Sequence, residues 1–168
     1  MPEGKTTMSA GRRRREARDV RDTATSAQPH ATVCVAHHFD APPERVFDAW
    51  LDPDKTRYWF APGLGEVVRV EIHARVGGSF SIVQRRNGKE VDHRGEYITI
   101  DRPRQLAFTW GVPQDSPDTA RVVVDIVPAG LGSNLTLSHE LHLAWAGFAT
   151  RAEETWLRML EAMDETLR

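Results

Sequence analysis

Residues 77–110 read GGSFSIVQRRNGKEVDHRGEYITIDRPRQLAFTW, three strand-like runs joined by two turn signals. Asn87-Gly88 separates the first two, and Asn-Gly is a strong hairpin signal because both turn positions need positive φ. Asp101-Arg102-Pro103 breaks the second run from the third, since proline cannot donate to a ladder. In the first run Phe80 and Ile82 alternate with Ser79 and Ser81. In the third, Leu106, Phe108 and Trp110 alternate with Ala107 and Thr109. The period of two predicts an antiparallel meander with one strongly apolar face, which another element must cover.

The flanking sequence supplies the cover. Thr32 to Phe39 is rich in strand formers. Pro42-Pro43-Glu44-Arg45 opens a short helix with Asp40 expected as its cap, and Asp52-Pro53-Asp54 starts a second. Glu66 to Arg75, Arg121 to Val127 and Asn134 to Leu141 alternate as strands. From about Gly147 to Arg168 the apolar residues Phe148, Ala152, Trp156, Met159, Leu160, Met163 and Leu167 recur at three- and four-residue steps, which is helical spacing. The predicted order is strand, two short helices, six strands, long helix. This is an α+β arrangement in which one helix lies across a curved antiparallel sheet of about seven strands.

The chain resembles the START-related helix-grip (SRPBCC) superfamily, and within it the group named after the activator of the 90-kDa heat-shock protein's ATPase. The words that carry the resemblance are APPERVFDAW (41–50), VGGSF (76–80), HRGEYITIDRPRQLAFTW (93–110) and LTLSHE (135–140), within a span of roughly Val33 to Leu167. Where that group usually shows Gly-Trp in the last helix, this chain has Thr155-Trp156. The resemblance implies a hydrophobic cavity between sheet and helix, ligand binding, and a link to the stress response. A co-chaperone-like protein-interaction module is the alternative it implies. Related helix-grip domains also include cyclases and hydratases, which makes an enzyme acting on an enclosed apolar substrate a third, weaker implication.

Residues 1–30 are a different material. They hold seven basic and four acidic side chains, a net charge of +3, whereas the whole chain carries −2 and residues 31–168 therefore −5. With hardly any large apolar residue, they are expected to be a disordered basic tail ahead of a helix-grip domain over 31–168. Arg12 to Arg15 read either as a phosphate-contacting arm or as a solvated extension. Without interleaved aromatics they are weak evidence for nucleic acid. Cys34 is alone, which excludes an internal disulfide and suits a reducing cytoplasm. No apolar run reaches the ~18 residues of a membrane span.

The expected ligand wall is Trp50, Trp59, Phe60, Val70, Phe80, Ile82, Phe108, Trp110, Trp156, Met159 and Met163. These residues would equally serve as plain core; as a set, bulky aromatics are hard to interdigitate without leaving space. His139 shares its strand face with Leu135 and Leu137 and is the expected polar group inside that wall. Glu96 and Tyr97 are adjacent, so one faces in and one out, and the strand pattern does not decide which. An inward Glu96 would pair with His139 as an acid–base couple; an outward one is a surface carboxylate. No cofactor is expected, nor a metal, because His37-His38 and His139/His142 lack ligand spacing. No catalytic set stands out. A small apolar molecule is the expected partner, a protein the alternative. An enclosed space of a few hundred Å3 between Trp156 and Phe80 would favour the ligand, and a filled interior the protein.

Overall fold

The computed structural model describes residues 30–116 and 118–168. The expected basic tail lies outside the described residues except for His30. The elements run β1 (His30–Phe39), α1 (Pro43–Leu51), α2 (Pro53–Trp59), β2 (Glu66–Ile72), β3 (Ser79–Arg86), β4 (Lys89–Asp101), β5 (Gln105–Trp110), β6 (Ala120–Ala129), β7 (Gly132–His142), a 3₁₀ segment (Leu143–Phe148) and α3 (Ala149–Thr166). All seven strands form one antiparallel sheet in the order β1-β7-β6-β5-β4-β3-β2. The expected α+β helix-grip architecture is the observed one. Among the described residues no helix is long and apolar enough to cross a membrane.

Local chemistry explains each joint. Asn87 and Gly88 turn β3 into β4 with φ of 51° and 77°, the paired positive values that a two-residue hairpin requires. Asp52 caps α2 by accepting a hydrogen bond from the Asp54 amide at 2.9 Å, and Pro53 takes the first helical position. The expected cap at Asp40 does not form. The N-cap of α1 is Pro42, with no side-chain bond, because the second proline already fixes the first helical φ. The long helix also starts later than the sequence suggests. His142 accepts from the Ala144 amide and opens a 3₁₀ turn, and Phe148 ends about half-exposed instead of facing the core.

One face of α3 is buried, through Trp156, Met159, Leu160, Met163 and Leu167. It packs on β1 and α2 and reaches β7 through the Trp156–His139 hydrogen bond, within one core cluster that includes Val33, Val35, Leu135 and Leu137. At its C-terminal end the buried Asp164 carboxylate lies 3.1 Å from the His37 ring. Arg45 donates to the Leu167 carbonyl at 2.9 Å, fixing the end of the helix to α1.

Gly95 faces Phe80 across the β3–β4 ladder. A Cβ there would stand 2.6 Å from the Phe80 ring and inside contact distance of the Thr109 carbonyl. Gly95→Ala is therefore expected to lower unfolding free energy by about 3 kcal/mol or more, read from urea midpoints. A midpoint equal to that of the parent would show that the two strands can part freely.

Candidate functional site

The interior splits into a filled part and an open part, with Trp110 at the border. Trp50, Trp59, Phe80, Ile82, Tyr97, Phe108 and Trp110 surround a space of only about 20 Å3, enough for one water-sized group and for no organic ligand. The rings interlock at centroid distances of 5.2 Å (Trp50–Trp59), 5.5 Å (Phe80–Tyr97) and 5.5 Å (Phe80–Phe108, edge to face). Among the described residues, the expected large cavity does not open between Trp156 and Phe80. Tilted and edge-to-face aromatic packing fills the space. Val70 is half-buried against the core and Met163 fully buried on the inner face of α3, and neither lines a cleft.

The open part lies toward the N-terminal half of α3. A cleft of about 240 Å3 runs between that helix and the sheet. Phe60, Trp110, Trp156 and Met159 form its apolar wall, Thr155 and Arg151 its helical rim, and Arg86, His93 and His139 its polar side. A second cleft of about 190 Å3 opens beside it, where the β5–β6 loop meets β7 and Trp145. The two share Trp110, Val112 and His139. Of the sequence-expected residues, Phe60, Trp110, His139, Trp156 and Met159 therefore come together around open space.

His139 has a defined protonation state. The Trp156 indole N–H donates to its Nδ1 at 2.9 Å, and the two rings meet edge to face at 5.8 Å. An Nδ1 that accepts leaves the proton on Nε2. That Nε2 is buried and has no hydrogen-bond partner among the described residues. Burial lowers the His139 pKa to about 4, so the ring is neutral at pH 7 and presents an unused N–H donor.

His93, which sequence reasoning missed, is the complement. Its Nδ1 lies 3.1 Å from the Ile82 carbonyl, an acceptor only, so Nδ1 holds the proton and Nε2 keeps its lone pair. Burial lowers this pKa to about 4 as well; Arg86 adds to that, while the Ile82 bond and the carboxylates of Asp92 and Asp115 oppose it. The ring packs between Phe60 at 4.9 Å and Trp110 at 5.5 Å.

Arg86 is held by its Nε–H bond to Gln84 Oε1 at 2.7 Å, and Gln84 in turn donates to the Ala61 and Gly65 carbonyls. Burial pulls the Arg86 pKa below its ordinary value, against the pull of Asp115. Arg151 stands at the rim, 6.0 Å from the Phe148 ring.

Tyr97 faces inward and Glu96 outward. Burial raises the Tyr97 pKa above its ordinary value. Glu96 lies over a polar depression of about 540 Å3 on the opposite face of the sheet, with Glu71, His73 and Arg94. The Glu96–His139 couple is therefore not formed. That outer depression is larger than either cleft and carries more polar groups, and the orphaned donor His139 faces the other side of the sheet. Among the described residues no cluster of three or more His, Cys, Asp or Glu has the arrangement of a metal site.

An antiparallel sheet gripped by one C-terminal helix, with an opening at the helix's N-terminal end, defines a START-like helix-grip domain. The profile of the family described as "Activator of Hsp90 ATPase homolog 1-like protein" matches residues 40–168, and the chain belongs to that family. Among curated proteins none matches this chain. Protein CV1439 from Chromobacterium violaceum superposes with a TM-score of 0.74 at 22% identity, over 81% of this chain and 96% of that one. A protein from Arthrobacter aurescens gives 0.71 at 22% identity, over 81% and 85%. Protein NE0264 from Nitrosomonas europaea gives 0.70 at 16%, over 81% and 93%. These likenesses are of fold.

Proposed function

We propose that this domain binds a small amphipathic molecule in the cleft between the N-terminal half of α3 and the sheet. The single observation that supports this most is the His139 Nε2–H. A buried donor without a partner costs about 1–3 kcal/mol, and this one borders both clefts. An occupant that accepts from it removes that cost. The apolar wall of Phe60, Trp110, Trp156 and Met159 suits the rest of such a molecule.

The filled interior around Phe80 supports a second reading, a protein-interaction module of the kind the family's description suggests. In that reading the cleft holds no small molecule of its own. The two separate in calorimetry with 2-naphthoate, a flat aromatic acid. Saturable binding is expected, and Thr155→Phe, which fills the cleft from its helical rim, is expected to weaken it at least about tenfold, the loss of ~1.4 kcal/mol, with the thermal transition retained. No saturable heat, or equal affinity in Thr155→Phe, would overturn the cleft reading and put the interaction module first.

A further inference from the structure

The two imidazoles specify more than an apolar guest. We infer, resting on the cleft reading, that the occupant is an anionic amphiphile carrying a hydroxyl, seated with that hydroxyl between His139 and His93 and with its negative charge toward Arg86 and Arg151.

The hydroxyl follows from donor and acceptor counting. His139 can only donate through Nε2, because the Trp156 indole occupies Nδ1. His93 can only accept through Nε2, because its Nδ1–H faces the Ile82 carbonyl. Both rings border the same cleft. A hydroxyl donates and accepts at once and so satisfies both rings. A carboxylate accepts only and would oppose the His93 lone pair, while an ammonium donates only and would oppose the His139 N–H. Both rings are neutral at pH 7, with pKa values lowered to about 4, so neither supplies charge for an ion pair.

The negative charge belongs elsewhere in the cleft. Arg86 and Arg151 are its charged residues, and no Asp or Glu is among the residues that form its wall. The carboxylate that acts on Arg86, Asp115, lies on the wall of the adjoining cleft. Burial makes the Arg86 charge costly, which favours an anion beside it. The aromatic wall of Phe60, Trp110 and Trp156 fits a flat ring system.

Calorimetry on the full chain at pH 7.5 with three matched probes tests this. 6-Hydroxy-2-naphthoate carries both groups at opposite ends, 2-naphthoate lacks the hydroxyl, and 2-naphthol lacks the charge. The first is expected to bind about tenfold or more tightly than either of the others, since 2-naphthoate leaves the buried His139 donor unpaired and 2-naphthol leaves the Arg86 charge without an anion. His93→Phe keeps the aromatic packing and removes the acceptor; it is expected to bring the two acids within about twofold of each other. Equal affinity of the two acids for the parent protein would overturn the hydroxyl assignment while leaving the cleft reading intact. Equal affinity of 2-naphthol and the hydroxy acid would overturn the anionic assignment. Failure of all three probes to bind would overturn both the inference and the cleft reading beneath it.

Discussion

A chain ending at Gly147 is expected to be unfolded. Without α3, the sheet loses the cover supplied by Trp156, Met159, Leu160, Met163 and Leu167, each 4% exposed or less. Burying a large apolar side chain contributes ~1.5–3 kcal/mol, so five together contribute about 8–15 kcal/mol. A domain of this size has a margin of ~5–15 kcal/mol in total. Losing the helix also uncovers β1, on which it packs, and breaks the Arg45 bond to the Leu167 carbonyl. Leu160→Ala, at a position with no exposed surface, is the graded version and is expected to cost about 2–5 kcal/mol. Circular dichroism and urea titration of the truncated chain check the claim. A cooperative transition in the fragment would show that the sheet closes on itself without its helix.

Acid is expected to destabilise the protein well above the range where carboxylates titrate. His93 and His139 are neutral in the folded protein down to about pH 4, because burial opposes their charging. In the unfolded chain a histidine takes up its proton near pH 6.5. Between those values the unfolded state binds more protons, so stability falls as pH falls; above about 6.5 it is fully present, and below about 4 the loss levels off. One depressed histidine over such a window is worth ~3 kcal/mol, and two in partly shielded sites about 3–6 kcal/mol. Asp48, whose pKa is lowered first of all by its hydrogen bond to Arg102, acts only below its own ordinary value and so outside this window. Urea midpoints at pH 7.5, 6, 5 and 4.2 measure the effect. A flat profile from 7.5 to 4.2 would mean that water reaches both rings.

Much of the fold was legible because its signals are local and periodic. Asn87-Gly88 sets the β3–β4 hairpin whatever surrounds it, and the period-two pattern of β5 orients Leu106 and Phe108 inward without tertiary information. The His139 face was legible for the same reason. Tyr97 and Glu96 were not, because the β4–β5 register shifts between Tyr97 and Thr99. That bulge turns both Tyr97 and Ile100 toward the core, although they are three residues apart, and leaves Ile98 outside. Parity cannot be carried across an extra residue that the sequence does not announce.

His93 was lost to the same uncertainty, since it faces inward with Tyr97 on the other side of Gly95. Had Tyr97 been placed, counting back by two along β4 would have found it. The division between filled interior and open cleft was beyond pattern reading altogether. Whether Trp50, Phe80 and Phe108 leave space depends on ring tilts, not on spacing. Arg151 and Thr155 border the cleft from the first turns of α3, and Arg86 from the end of β3, and no pattern within either element brings the two together.

The most direct test of the central claim observes the orphaned donor itself. The protein is labelled with ¹⁵N at histidine, and its imidazole resonances are followed at pH 7.5 during titration with 6-hydroxy-2-naphthoate. Before addition, His139 is expected to show a protonated Nε2 and an accepting Nδ1, and His93 the reverse. During titration the His139 Nε2–H resonance is expected to shift saturably as the donor gains a partner, while the resonances of His37 and His38, hydrogen-bonded to Asp164 and Asn134 on β1, stay in place. Saturation of the protein with no change at His139 would contradict the account, as would a free His139 whose proton sits on Nδ1.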